Sequence, residues 1–252
     1  MMAITRNDQQ QIAVITYPGL SPLELIGTVS VLDGLRLKTG FHPVTVGASR
    51  DPLDTDTPLQ VVPQRTFDDV YQPAALLVPG ASGLRAITAM GDQRLLDYVR
   101  SAAERAELVA SVGSGALILA AAGLLSGKRA TTHWMYRRIL ESLGASSVQQ
   151  RWVVDGKLVT SAGTSGGIDM ALRLVAQRRD ERAARRVQLW IEYDPQPPFG
   201  PMDQPEVDDD TLAALLAQHR AEWERALASR PDLLDAVRRA GANPVRTTGI
   251  SL

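Results

Sequence analysis

A glutamate, a histidine and a glycine-bent elbow are the features of this chain that could do chemistry. The stretch "LVASVGSGALILAAAGLL" (108–125) is an apolar run that ends in small residues, turns on two glycines and restarts as an apolar helix. A strand, a sharp elbow and a helix in this order raise one side chain beside the free N–H groups of the helix start, a common seat for a nucleophile. The apex here is Gly113, which offers no nucleophilic atom. The chain contains no cysteine, so thiol nucleophiles, disulfides and thiolate metal sites are all excluded. Ser111 and Ser114 flank the apex, one pointing into the sheet layer and one opening the helix. Structural roles suit both, because a hydroxyl with no adjacent base is a weak nucleophile.

What remains is acid–base and hydrogen-bonding chemistry. Glu24 lies in "SPLELIG", in the first turn of a helix. The plain reading is a solvent-facing carboxylate favoured by the helix dipole. Its neighbours Leu23, Leu25 and Ile26 are apolar, and a carboxyl held among them has its charged form disfavoured, which lifts its pKa toward the range useful for proton transfer. Backbone N–H groups of Gly80 and Ala81 in "VPGASG", and of Ser114, could hold a carbonyl or enolate oxygen, since an oxyanion hole needs no nucleophile of its own; the alternative is an ordinary glycine turn. His133 follows "ATT" at a strand end and reads first as a hydrogen-bonded structural residue, with a catalytic role as the alternative, while Trp134 can shape a pocket wall. Thr164 and Ser165 fit helix caps, and a cap facing the elbow can also touch a ligand. His42 and His219 have no partner at ligand spacing, and no HxH, HExxH or carboxylate cluster occurs, so no metal is expected. The glycines match neither GxGxxG nor GxxxxGK[ST], so no nucleotide cofactor is expected either.

The elements that must position these residues follow from patterning. "QIAVITYPG" (11–19) is a buried strand, and "SPLELIGTVSVLDGLRLKTG" reads as a helix with Ser21 as cap and Gly40 beyond its end. "HPVTVGAS" is a second strand, "TPLQVVPQRTFDDV" a proline-punctuated loop with a short strand, and "AALLVPGASG" a third buried strand ending in a glycine turn. A helix over Asp92–Arg105 carries Leu95, Leu96 and Val99 on one stripe. This rhythm predicts an α/β fold with a mostly parallel sheet covered by helices on both faces. "QRWVVDGKLVTSAG" (150–163) predicts a hairpin turning at Asp155-Gly156. One helical stretch then runs from about Thr164 to Asp194, followed by the proline-rich strap "DPQPPFGPMDQPEVDDD". Beyond it Asp210 caps a helix with Leu212, Leu215, Leu216, His219, Trp223 and Leu227 on one face, and "RPDLLDAVRRAG" forms a second ending at Gly241.

Taken together, the elbow, "RATTHW" (129–134), "SAGTSGGIDMALRLVA" (161–176) and "QLWIEYDPQPPF" (188–199) resemble the DJ-1/PfpI superfamily, and within it the isocyanide hydratases. The resemblance covers about residues 11–200. It implies a flavodoxin-like sandwich, usually an obligate homodimer, with the site at the elbow near the subunit interface. It implies a catalytic cysteine at the apex, where this chain has Gly113, and an acidic residue that hydrogen-bonds that cysteine, where it has Glu24. In the hydratase mechanism so implied, a thiolate attacks the isocyanide carbon; glycine cannot take that step.

These observations predict an α/β domain over 1–204 and a helical extension over 205–252 that packs on the domain or across a dimer. With 252 residues, 44% hydrophobic, the chain can bury one sizeable core. A net charge of -1, from 27 basic and 28 acidic residues, gives no field that would steer it to nucleic acid or an anionic membrane. The polar start and short apolar runs point to a cytoplasmic protein, and the tail lacks the length and basic excess of a helix-turn-helix module. Expected partners are a small molecule and a second copy. Three functions stay open: a cofactor-free enzyme of lyase type (hydration, elimination or cyclisation) working through Glu24, with His133 as second catalytic candidate; a non-catalytic binding member; and an isocyanide hydratase whose cysteine was deliberately replaced. The substrate-contact candidates are Gly80, Ala81, Gly113, Ser114, Trp134 and Thr164.

Overall fold

The computed structural model describes residues 10–36, 41–82, 84–200 and 209–242. Its centre is a seven-stranded sheet in the order β10-β11-β7-β6-β1-β2-β5. The strands are β1 (Gln11–Ile15), β2 (His42–Gly47), β5 (Arg65–Thr66), β6 (Ala75–Val78), β7 (Leu108–Val112), β10 (Trp152–Asp155) and β11 (Leu158–Ser161). Every pairing is parallel except β10 with β11, the hairpin, whose turn places Gly156 at a φ of 62°. Short ladders join β3 (Leu53–Asp54) to β4 (Gln60–Val61) and β8 (Arg129–Ala130) to β9 (Ser146–Ser147). β1 and β6 are buried along their whole length, which explains their unbroken apolar sequences.

On one face α1 (Pro22–Leu32) packs along α6 (Thr164–Arg178), which α7 (Glu181–Trp190) follows. The other face carries α2 (Arg85–Ala89), α3 (Gln93–Arg105), α4 (Gly115–Ala121) and α5 (Arg137–Ser142). This is the mostly parallel, two-faced α/β architecture expected from the strand–helix rhythm, in the flavodoxin-like form that the family resemblance implies. Asp92 caps α3 by accepting from Leu95 N–H at 3.0 Å. Pro22 occupies the first turn of α1, where its missing N–H costs nothing, while the Ser21 side chain makes no cap bond there.

Three boundaries differ from the sequence reading. The helix expected over 164–194 is two helices, because Asp180 stops the first and caps the second by accepting from Ala183 N–H at 2.7 Å. The first of the two expected C-terminal helices is split at His219 into α8 (Asp209–Gln218) and α9 (Arg220–Ala226), ahead of α10 (Pro231–Ala242). The break folds Trp223 under α8, where its indole N–H donates to Leu216 O at 2.9 Å and satisfies a carbonyl at the helix end. The short helices α2 and α5 have no counterpart in the sequence reading. Gly40 and the side chains of Asp210, Leu212 and Leu215 lie outside the described residues. α9 lies against α2 and α10 against α5, with Leu216, Trp223, Leu227, Leu233 and Val237 joining the core.

Candidate active site

The elbow is built as the sequence suggests. β7 ends at Val112, Gly113 turns with a φ of 51°, and α4 starts at Gly115. A left-handed φ is strained for any residue with a Cβ. There is also no room for one: a Cβ on Gly113 would fall inside the contact distance of Glu24 Oε1 and 3.0 Å from its Cδ. The space over the apex is therefore filled by the Glu24 carboxyl itself. The Gly113 carbonyl is fixed by the Thr132 hydroxyl, which donates to it at 2.9 Å.

Glu24 is 5% exposed. The reason is not its sequence neighbours, since Leu23 and Ile26 are exposed and only Leu25 is buried. The carboxyl is enclosed instead by the elbow, the β6–α2 loop and the start of α6. Gly80 N–H donates to Oε2 at 2.6 Å and the Thr164 hydroxyl donates to Oε1 at 3.3 Å. Close helix packing makes this possible: a Cβ on Gly27 would press on Ile168, and one on Gly167 would press on Val112 and Thr28, so these glycines let α1, α6 and β7 approach. Burial pushes the Glu24 carboxyl up to about 7, against the opposing pull of the Gly80 and Thr164 hydrogen bonds. The group is poised near neutrality, as the sequence reading anticipated for a different reason.

Ser114 closes a second small network. Its hydroxyl accepts from Ala81 N–H at 2.9 Å and donates to Ala81 O at 2.8 Å. The proton that a nucleophilic serine must surrender is thus aimed at a carbonyl rather than a base. Two of the backbone donors expected to bind a substrate oxygen are also spoken for, Gly80 N–H on Glu24 and Ala81 N–H on Ser114. Ser114 N–H has no acceptor among the described residues.

A cavity of about 300 Å³ opens above this floor. It is lined by Glu24, Ala81, Ser82, Ser114 and Thr164, together with His133, Met135 and Tyr136. Of the residues expected there, Gly80 and Gly113 lie behind the Glu24 carboxyl, and Trp134 is not part of the lining. Trp134 turns beside the imidazole, ring centroids 5.4 Å apart, in the tight turn Trp134–Tyr136. Met135 and Tyr136 take the wall position instead; a sequence gives no sign of which face of such a turn looks inward. His133 accepts from Met135 N–H through Nδ1 at 3.4 Å, and burial together with the Arg137 charge lowers its pKa. Burial, with Glu24 nearby, pushes the Tyr136 phenol up to about 12, so it is neutral. His42 and His219 lie elsewhere, and no cluster of metal-ligating side chains occurs among the described residues.

With this geometry established, the profile of the DJ-1/PfpI family matches residues 10–177. The chain belongs to that family. It is 41% identical over 189 residues to an isonitrile hydratase of Pseudomonas putida, across 75% of this chain and 81% of that protein. It is 30% identical over 181 residues to the HTH-type transcriptional regulator CdhR of Pseudomonas aeruginosa, across 69% of this chain but only 52% of the regulator. A crystal structure of a THiJ/PfpI family protein from Pseudomonas syringae superposes with a TM-score of 0.75 at 34% identity, over 87% of this chain and 89% of that one. Among the described residues of this DJ-1/PfpI protein, no helix is long and apolar enough to cross a membrane.

Proposed function

We propose that this DJ-1/PfpI protein is a cofactor-independent enzyme of lyase type, which uses Glu24 for non-covalent acid–base chemistry on a small organic molecule held above the elbow. One observation carries the reading: a buried carboxyl with a pKa of about 7 occupies the space over Gly113 and faces a cavity of about 300 Å³. At neutral pH such a group both takes and returns protons. With no Cβ at Gly113 the carboxyl comes directly against the apex backbone, which leaves Glu24 as the group over the elbow able to move a proton. The similarity to an isonitrile hydratase supports a hydration-type or related reaction.

The working unit we propose is a homodimer, formed through the outer face of α1. Leu23 and Ile26 are 63% and 54% exposed there, one residue before and two after the buried Glu24. A neighbouring copy would shield them and close the pocket region at the same time. The setting proposed for the protein is cytoplasmic.

The test is turnover on a panel of isocyanides and of electrophilic or cyclisable small metabolites, comparing the unmodified chain with Glu24→Gln and Gly113→Cys. Activity in the unmodified chain that collapses in Glu24→Gln supports the reading. Silence in the unmodified chain, with isocyanide hydration appearing only in Gly113→Cys, would overturn it.

A further inference from the structure

Resting on the acid–base reading above, we infer that His133 is the neutral hydrogen-bond donor opposite Glu24, and that the pair acts on an uncharged, enolisable carbonyl compound by moving a proton next to its C=O group. The argument begins with the tautomer. His133 heads the turn Trp134–Tyr136, and its Nδ1 accepts from the Met135 backbone N–H at 3.4 Å. An imidazole nitrogen that accepts a hydrogen bond carries no proton, so the neutral ring holds its proton on Nε2. The ring lies in the cavity wall, with Cδ2 turned toward the open backbone of Gly163 at the start of α6. The charges that reach the imidazole reinforce its neutrality, since burial and the Arg137 guanidinium both disfavour a second proton.

A neutral donor matters because the backbone cannot supply a full oxyanion hole. Gly80 N–H is committed to Glu24 and Ala81 N–H to Ser114. The donors in the cavity wall that those bonds do not use include Nε2–H of His133, the Ser82 hydroxyl and the N–H of Ser114. The cavity thus pairs one base with neutral donors, an arrangement suited to an enol or enolate, whose charge develops on oxygen as a proton leaves carbon. Among the described residues no lysine or arginine lines the cavity, so a carboxylate or phosphate on the substrate would have no direct ion pair there and would face the Glu24 charge.

The step balances without any other reactant. Glu24 Oε1 takes the proton from the carbon next to the carbonyl; the C–H electron pair becomes the new C=C bond, and the carbonyl π pair moves to oxygen, where His133 Nε2–H holds it. The Glu24 carboxylic acid then returns the proton to the same carbon, or, where that carbon bears a hydroxyl whose proton passes to the enolate oxygen as its own C=O forms, to the adjoining carbon. Where a leaving group sits one carbon further on, the enolate re-forms its C=O, the enol C=C pair shifts to make the new C=C bond, and the group departs with its bonding pair and takes the proton held by Glu24.

The experiment is deuterium wash-in from D2O, followed by proton NMR, with hydroxyacetone and acetoin as probes and pyruvate as the charged counterpart. Expected are wash-in to the neutral ketones above the buffer rate and none above it to pyruvate. Glu24→Gln should lose the wash-in, and His133→Ala should be slower in kcat by roughly 10²-fold, with His133→Gln, which keeps an N–H donor, recovering part of it. Nitrogen-15 shifts of labelled histidine should show His133 neutral and protonated on Nε2 at neutral pH, whatever substrate is used. Wash-in that ignores His133→Ala, or a His133 protonated on Nδ1, would overturn the inference. If the neutral ketones show no wash-in while some other substrate turns over in a Glu24-dependent way, the inference falls and the acid–base reading stands.

Discussion

The two faces of α1 invert the usual arrangement of a surface helix. Its inner face buries a carboxyl at the elbow, and its outer face shows Leu23 and Ile26 to solvent, whereas α3 on the opposite side of the sheet buries Leu95, Leu96 and Val99 and exposes charge. α3 is patterned for stability alone. α1 departs from that pattern on both faces, and each departure is unfavourable in an isolated monomer: a desolvated acid within, wet apolar surface without. Departures of this kind mark functional surfaces, because they persist only where something else offsets them. On our reading a substrate accounts for the inner face and a second copy for the outer one.

The largest effect is expected on the outer face. Burying a Leu or Ile side chain contributes about 1.5–3 kcal/mol, and a twofold interface counts each residue twice. Leu23→Asp combined with Ile26→Asp should therefore convert a dimer to a monomer, read as mass by light scattering, while the melting temperature in dilute solution stays close to that of the dissociated parent chain. A parent chain already monomeric at high concentration would remove the outer half of the comparison.

The inner face comes next. Glu24→Gln should lower turnover on the order of 10²–10⁴-fold, the usual worth of a general base. It should raise stability at the same time. The folded carboxyl, at about 7, holds its proton where the unfolded carboxyl, near 4.5, has lost it. The unmodified protein is thus most stable, as far as this group is concerned, below about 4.5, loses stability as pH rises toward 7, and stays at the lower level above it. The full difference is on the order of 3 kcal/mol, so Glu24→Gln should unfold at higher denaturant above about pH 8, with the advantage shrinking as pH falls. A variant with less activity and no gain in stability would mean that the carboxyl is not desolvated.

Ser114→Ala sets the neighbouring network against this one. It strands both the N–H and the carbonyl of Ala81, at a cost of about 1–3 kcal/mol that is the same at every pH, because the hydroxyl does not titrate. Chemical denaturation at two pH values separates the two kinds of burial.

Much of this was legible in the sequence, and what was not had physical causes. The buried strands, the Asp155-Gly156 hairpin and the elbow are local patterns, and all appear in the structure. Glu24 was legible as a perturbed acid, but through neighbours that prove to be exposed; its real enclosure comes from Gly80, Gly113 and Thr164, at separations no local pattern spans. Met135 and Tyr136 were missed in favour of Trp134 because a tight turn, unlike a helix or strand, has no period from which to read a face. The committed state of the Gly80 and Ala81 donors was invisible for the same reason as the Glu24 enclosure: both depend on contacts made by folding.

The smallest effect is the most specific to this geometry. Thr164 was expected to cap α6, but Gly163 holds the cap position and Thr164 is the first helical residue, its hydroxyl free to turn inward and donate to Glu24 Oε1 at 3.3 Å. That bond favours the charged carboxyl and opposes the effect of burial. Thr164→Val keeps the shape and removes the donor, so the Glu24 pKa should rise from about 7, with no loss of a helix cap. If Glu24 acts as the base, the acid limb of the pH–rate profile moves upward with it, and activity at neutral pH falls while the plateau at higher pH is kept. A profile that drops uniformly at all pH values would instead place Thr164 on the substrate, and would show that the carboxyl takes its poise from burial and Gly80 alone.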